Sequence, residues 1–495
     1  LSSPFNEAKY KALLEGLEAT EISYSYVKKS NDVFRFDSNF FQKQFIAEES
    51  IIRSKAFKTL KNLEVELKSF GAYSLNNDVA YMNSGIPFIR GVNMKKGRIV
   101  FNDMIYIDET ANSLLWKSEV KPEMVLLSMS GTIGDVALAS KKWKYPINSN
   151  QDIAKIDTKG KINPYFLFAF LLSKFGQNYL KREARGSVQQ HVFLSQMELF
   201  EIPILKPAFY ESIEQLILQS DDTLFLSEDL YKQAETILLE ALGLKDFQPS
   251  TDPINVKGFK ESFLSTGRLD AEYYQKKYEE VVNHITEQKY DRLSNIVSIK
   301  KSIEPGSDVY TDEGLSFLRV SDYNKFGVNE PEKKLNNRFC VENEELIEKL
   351  KPKKETILFS KDGSVGTAYM LRSDADFITS GAILHLKVRH KEQVIPEYLT
   401  LALNSKLVQL QAERDAGGSI ILHWRVGEIE NVVVPIIDYP KQQKIAALVE
   451  ESYRLKKQSE RLLEQAKRCV EMAIEKDEET ARNFLVENTN ELLYT

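Results

Sequence analysis

Residues 209–242 read FYESIEQLILQSDDTLFLSEDLYKQAETILLEAL, and residues 441–474 read KQQKIAALVEESYRLKKQSERLLEQAKRCVEMAI. Sliding one onto the other by 232 positions brings their heptads into agreement. One seam position reads Ile213, Ser220, Ser227, Ala234, Ala241 in the first stretch and Ile445, Ser452, Ser459, Ala466, Ala473 in the second. These are the same residue types in the same order. The other seam position reads Leu216, Thr223, Leu230, Ile237 against Leu448, Leu455, Leu462, Cys469. Apolar residues at heptad spacing make a coiled-coil stripe, and the small residues let two backbones come close. Two unrelated amphipathic surface helices are the plain alternative, but they have no reason to share that order.

The two stretches differ in charge. From Phe209 to Asp246 there are nine acidic and two basic residues, a net −7. From Lys441 to Lys476 there are nine basic and six acidic, a net +3. The whole chain carries −6, so the central stretch accounts for the excess and the remainder is close to neutral. Matching seams with opposite charge make the two helices natural partners.

Outward from the helices the repeat continues. Arg35-Phe36-Asp37 with Phe40-Phe41-Gln42-Lys43 is answered by Arg268-Leu269-Asp270 with Tyr273-Tyr274-Gln275-Lys276, at an offset of 233. Gly85-Ile86-Pro87-Phe88-Ile89-Arg90 is answered by Gly314-Leu315-Ser316-Phe317-Leu318-Arg319. At offset 232, Gly131-Thr132-Ile133-Gly134 matches Gly363-Ser364-Val365-Gly366, Pro164 matches Pro396, Gly186-Ser187 matches Gly418-Ser419, and Pro203 matches Pro435. An offset held that long marks an internal duplication of one unit of roughly 230 residues. Within each unit, β-rich runs (Met124–Ser128 and Ile153–Ile156; Thr356–Phe359 and Ile383–Val388) alternate with Gly-containing turns. One helix is expected after each proline, over Tyr165–Tyr179 and Glu397–Ala412.

The fold class expected is α+β. Two similar mixed α/β domains are separated by two long helices paired as an antiparallel coiled coil, in a pseudo-two-fold internal duplication. The boundaries read as an N-terminal helical arm over 1–21, a first domain over 22–206, a central helix over 207–246, a linker and second domain over 247–438, a distal helix over 439–476 and an unassigned tail over 477–495. A length of 495 residues suits two to four domains. With 42% hydrophobic and 28% charged residues the composition is that of a soluble globular protein. No apolar run approaches the roughly 20 residues a membrane span needs. Cys340 and Cys469 form no disulfide framework or zinc pattern, so a reducing cytoplasm is expected.

Motifs for catalysis are weak. Asn163-Pro164-Tyr165-Phe166 is like the Asn-Pro-Pro-Tyr motif of adenine methyltransferases, but it lacks the second proline and no Gly-rich cofactor loop precedes it. The matching Ile395-Pro396-Glu397-Tyr398 destroys the motif, so a proline opening a helix is the better reading. Neither Gly-x-x-Gly turn continues into the Gly-Lys-Ser/Thr of a P-loop. Neither His191 nor His423 has metal-ligand spacing with another His or Cys.

The polar loops suit nucleic acid instead. Gln, His and Arg on a Gly-Ser loop read base edges and phosphates well, and basic loops favour phosphate. The candidate contacts are Arg90, Asn93, Lys95, Lys96, Ser130, Thr132, Gln189, Gln190 and His191 in the first half. In the second they are Arg319, Lys361, Ser364, Ser419, His423 and Arg425. Tight turns and solvated loops are the plain alternative for each.

With the repeat laid out, the chain resembles the specificity (S) subunit of Type I restriction–modification systems. The resemblance rests on the paired Gly-x-x-Gly turns, the Pro-x-Tyr and Pro-Tyr helix starts, the Gly-Ser loops, Ile202-Pro203 and Val434-Pro435 before the helices, and the seams. It covers the chain from about Ala8 to about Lys476. The resemblance implies that the chain catalyses nothing and that each domain reads one half of a split double-stranded DNA target. It implies that the helices hold the halves apart and dock two methyltransferase (M) subunits, while restriction/motor (R) subunits join for cleavage. Cofactors, S-adenosylmethionine with ATP and Mg, are then expected in those partners and not in this chain. The alternatives are the recognition subunit of a Type IIB-like enzyme, a self-contained DNA methyltransferase or nuclease, and a coiled-coil scaffold that binds only proteins.

Overall fold

The computed structural model describes all residues except 1–4, 17–19, 31–34, 71–78, 96, 102–103, 187–189, 419–420 and 493–495. The chain divides into two compact units, Leu1–Thr223 with Gln458–Thr495, and Leu224–Lys457. The central long helix, Pro207–Ala241, and the distal one, Tyr439–Glu475, each give one part to either unit.

In the first unit a four-stranded antiparallel sheet runs in the order Glu66–Lys68, Ile153–Asp157, Val125–Ser128, Val136–Leu138. In the second the order is Val297–Lys301, Ile383–Val388, Ile357–Ser360, Ala368–Met370. The registers correspond: Ile153 faces Ser128, and Ile383 faces Ser360. Val125–Ser128 and Ile357–Ser360 are buried at every residue. Strands covered on both faces lose the polar–apolar alternation of an exposed sheet. Each unit adds a second sheet with one parallel pairing, three-stranded with Phe88 beside Asn148 in the first and four-stranded with Phe317 beside Ile378 in the second. A two-stranded pair leads into each long helix, Phe57–Thr59 with Glu201–Pro203 and Tyr290–Arg292 with Val433–Pro435.

The helix after each proline is broken in two. Pro164–Leu172 is followed by Lys174–Glu183, and Pro396–Asn404 by Lys406–Asp415. The single helices read from the sequence are therefore corrected. Ser173 and Ser405 stand at the breaks with extended backbone, ψ 162° and 156°. Each hydroxyl donates 2.6 Å to a carbonyl three residues back, Phe170 and Ala402. A serine that bonds the backbone locally competes with the helix ladder.

In the first unit the seam brings Ser220 against Ser459, with each hydroxyl donating to the other's backbone carbonyl at 2.6 Å. Further along, Lys206 N donates to Glu478 Oε1 at 2.8 Å. In the second unit Ser227 and Ser452 exchange the same pair of bonds at 2.7 Å. The buried stripe is wider than the two seam positions. Ile217 and Val470 are buried in the first unit, and Tyr231, Leu238, Val449 and Tyr453 in the second. A helix that packs on a sheet domain as well as on another helix needs that broader apolar face.

Acidic side chains of the central helix meet the globular parts. In the first unit Asp221 accepts from Ser140 Oγ at 2.5 Å and lies 3.7 Å from Arg98, Asp222 pairs with Lys142 at 2.5 Å, and Glu214 accepts from Asn163 at 2.7 Å. In the second, Glu235 pairs with Lys325 at 3.6 Å. Charge on that helix thus ties it to its own globular parts. The stretch after the distal helix is a further helix, Glu478–Leu492, whose Ala481 is buried in the first unit's core. Among the described residues no helix is long and apolar enough to cross a membrane.

Candidate nucleic-acid interface

Each unit builds one cluster from the same parts. In the first, the segment after the Gly186 loop runs between a helix end and the Gly131 turn. His191 N donates to Arg185 O at 2.7 Å, Arg185 N returns a bond to His191 O at 3.0 Å, and Val192 N donates to Met129 O at 2.9 Å. His191 thereby bridges Ser130 and Arg185. In the second, His423 N donates to Gly417 O at 2.7 Å, Gly417 N returns at 3.0 Å, and Trp424 N donates to Lys361 O at 2.7 Å. His423 bridges Asp362 and Gly417. The turn, the loop and the histidine, separated in sequence by about 60 residues, are thus one surface in each unit.

The turns are shaped by their glycines. Gly134 has φ +97°, and an added Cβ would lie 2.6 Å from Gln177 Oε1. Gln177 caps this contact by donating to Gly134 O at 2.9 Å and to Leu171 O at 2.8 Å. Gly366, Gln409 and Leu403 repeat the arrangement at 2.7 and 3.0 Å. The first glycine of each turn, Gly131 or Gly363, has φ above +70° and open space around it.

Of the expected contacts in the first unit, Ser130, Thr132, Gln190 and His191 belong to this cluster; Thr132 and Gln190 are exposed and Ser130 and His191 half-buried. The Arg90–Asn93 turn sits against it, since a Cβ on Gly91 would lie 3.6 Å from Ser128 Oγ and 3.7 Å from Thr132 Oγ1. Asn93 is itself buried, and its amide is committed to the backbone: Oδ1 accepts from Arg90 N at 3.0 Å and Nδ2 donates to Val100 O at 3.3 Å. Lys95 is exposed beside this turn. Burial pushes the carboxyl of nearby Asp135 up from its ordinary range, opposed by the bond from Thr132 and the charge of Lys95.

In the second unit Lys361, Ser364, His423 and Arg425 come together, and Asp362 links two of them. Asp362 Oδ1 lies 2.9 Å from His423 Nδ1, and Lys361 pairs with its other oxygen. Lys301, which the sequence reading did not single out, lines the same shallow depression with Lys361 and Arg425. Arg319 caps its own turn through Asp322, at 2.8 Å from its backbone N, and reaches Glu332 at 3.1 Å. Lys96, Gln189 and Ser419 lie outside the described residues.

The sequence reading missed two roles among basic residues. Arg98 is not a free loop cation. It donates to Ser459 Oγ at 2.9 Å and to Ser220 Oγ, wedged at the buried serine pair. Its neighbour Gly97 approaches the distal helix so closely that a Cβ would lie 2.9 Å from Leu463. Arg185 lines a cleft beside the His191 cluster. Asn163, the first residue of the methyltransferase-like motif, caps a helix: its Oδ1 accepts from Tyr165 N at 2.9 Å and Phe166 N at 3.0 Å. Among the described residues there is no group of His, Cys, Asp and Glu able to hold a metal ion.

Two similar units with paired polar surfaces define a duplicated recognition protein. The model of the Type I restriction modification DNA specificity domain matches residues 65–208 and 289–466, and the chain belongs to that family. Over 391 residues, 74% of this chain and 73% of the relative, it is 24% identical to the Type I restriction enzyme EcoBI specificity subunit of Escherichia coli. Among solved structures, the Type I restriction–modification S subunit from M. genitalium is 15% identical with a TM-score of 0.38, covering 85% of this chain and 95% of that one. The HsdS subunit from Thermoanaerobacter tengcongensis is 14% identical with a TM-score of 0.28, covering 85% and 97%. The role in a Type I restriction–modification system is that of DNA specificity, the recognition of a target sequence.

Proposed function

We propose that this chain reads a bipartite double-stranded DNA target, one half with each unit, and carries out no chemistry itself. The observation that supports this most is the duplicated cluster in which His191 and His423 each tie a Gly-x-x-Gly turn to the loop before it. Each cluster presents side chains suited to base edges and phosphates: Gln190 and Thr132 in one unit, Lys361, Ser364 and Arg425 in the other. Gln pairs with adenine, and Arg or Lys with guanine, in the major groove, while hydroxyls and backbone N–H groups hold phosphates. Different side chains on one scaffold would let the two units read different half-sites.

In this reading the long helices pair antiparallel as a coiled coil, supported by the reciprocal serine bonds within each unit. Helices of 35 and 37 residues are rods of roughly 50 Å at about 1.5 Å per residue. That is about 15 base pairs of duplex at about 3.4 Å each, a suitable spacer between two major-groove readings. Two methyltransferase subunits dock on this post and restriction/motor subunits join them. S-adenosylmethionine, ATP and Mg belong to those partners, which methylate adenine or cleave.

The test is a comparison of methylated adenines across the genome of cells with and without this chain. A split motif that vanishes with the chain supports the reading. Methyl transfer to DNA by the purified chain alone, given S-adenosylmethionine, would replace it with a self-contained methyltransferase.

A further inference from the structure

Beside the His191 cluster the first unit holds a cleft of about 560 Å³. Arg35, Lys181, Arg182 and Arg185 line it, with Gln190 at its edge and Asp37 as its acid. Arg35 and Asp37 pair with each other at 2.7 Å and Arg182 has Glu49 beside it, which leaves Lys181 and Arg185 in excess. Arg182 is only 4% exposed. Its Nε donates to Phe40 O at 3.0 Å and Nη1 lies 3.5 Å from Glu49, but Nη2 has no hydrogen-bond partner among the described residues. The Nε of Arg185 is likewise buried without one. Lys181 is exposed and Arg185 half-buried at this cleft, and an acceptor that suits guanidinium and ammonium groups lining one cleft is a phosphate.

The duplication supplies an internal control. Gln177 and Gln409 make the same bonds in their own units, so the helix ends that carry these residues correspond position by position. At the corresponding positions Lys181 becomes Glu413, Glu183 becomes Asp415 and Arg185 becomes Gly417. Arg414, which corresponds to Arg182, is held by Asp415 at 2.7 and 3.2 Å. Lys277 pairs with Glu413 there at 2.5 Å. The scaffold therefore folds without the extra cations, and their presence in the first unit is not a requirement of the fold.

We propose that this cleft is a binding site for a backbone phosphate of DNA, present in the first unit and cancelled in the second, so that the two units grip the duplex unequally. The inference rests on the DNA-reading function proposed above. An acidic protein segment would also be attracted to the cations. DNA is favoured because Gln190 borders both the cleft and the loop that carries His191, which continues the candidate base-reading surface directly into the cleft.

The experiment uses the full chain assembled with its partner subunits and a duplex carrying the methylated motif, with binding followed by fluorescence anisotropy from about 50 to 200 mM salt. The double variant Lys181→Glu/Arg185→Gly copies residues that the second unit already tolerates. It is expected to bind at least tenfold more weakly at 150 mM salt. Each neutralised phosphate adds about 0.9 to the salt slope, so losing this one phosphate contact makes that slope smaller by about one. The methylated motif and the thermal unfolding midpoint stay as in the wild type. Lys61→Glu, an exposed lysine outside the cleft, stays within about twofold. Wild-type affinity and slope in the double variant would overturn the proposal. So would an equally large drop in affinity for Lys61→Glu, or failure to capture the partner subunits with an unchanged DNA slope, which would assign the cleft to an acidic protein segment. Failure of the wild-type complex to bind the duplex is a separate result, and it would remove the DNA reading itself.

Discussion

Ser220 and Ser459 donate to each other's backbone carbonyl at 2.6 Å, fully buried or nearly so at the first unit's helix seam. The reciprocal pair satisfies both hydroxyls and needs the two backbones to be close. Replacing both partners with a small apolar residue is close to neutral, whereas adding volume there is not. At the matching pair of the second unit, where Ser227 and Ser452 exchange the same bonds, Ser227→Ala/Ser452→Ala is expected to shift stability by less than about 1 kcal/mol. Ser220→Leu is expected to cost about 1–3 kcal/mol. Urea unfolding of the full chain measures both, and equal effects would contradict a close-packed seam.

Asn163 caps the helix that starts at Pro164. Asn163→Ala is expected to lower stability by about 1 kcal/mol, the usual cost of removing an N-cap. Adenine methylation by the assembled complex should persist. Abolished methyl transfer with stability intact would instead give Asn163 a part in catalysis.

The two glycines of the first turn should differ. Gly131 has open space, so Gly131→Ala meets only the cost of a left-handed backbone, about 1 kcal/mol. Gly134→Ala adds a contact with Gln177 that is too short to keep, and is expected to cost more. Denaturation midpoints of the two variants compare them directly.

Lys155 is 1% exposed, and its Nζ donates to Ser149 Oγ at 3.1 Å. Burial pushes its ammonium down to about 7. Between that value and the ordinary lysine pKa of about 10.4 the unfolded chain binds more protons than the native one. Stability therefore rises with pH across that window, and the penalty is fully present below about pH 7. Lys155→Met should be more stable than wild type at pH 7, on the order of 2 kcal/mol, and the difference should shrink by pH 10. The second unit repeats the arrangement with a different group: His385 Nε2 lies 2.9 Å from Thr379 Oγ1, and burial lowers its pKa to about 4.

The sequence made some of this legible and hid the rest for physical reasons. The long helices and the duplication show because a heptad stripe persists over many turns and an offset persists over many motifs. The breaks at Ser173 and Ser405 do not show, because the apolar period runs through them and only the local hydroxyl–carbonyl bonds reveal the stop. The acidic central helix reads naturally as a partner for the basic distal one. The ties of Asp221, Asp222 and Glu235 to the globular parts depend on contacts that no local pattern carries. The same holds for the place of Arg98 at the serine seam. His191 and His423 were legible as loop residues, but their backbone bridges to the Gly-x-x-Gly turns were not.

The central claim is that two readers are held at a distance set by the helices. Deleting residues 221–227 and 452–458 together removes one heptad from each helix and keeps Ser220 opposite Ser459. Glu228 and Asp229 then take the places of Asp221 and Asp222. The rod shortens by about 10 Å, or about three base pairs. Mapping methylated adenines in cells that carry the shortened chain should show both half-sites unchanged and the gap between them reduced by about three base pairs. An unchanged gap between the same half-sites would contradict the account.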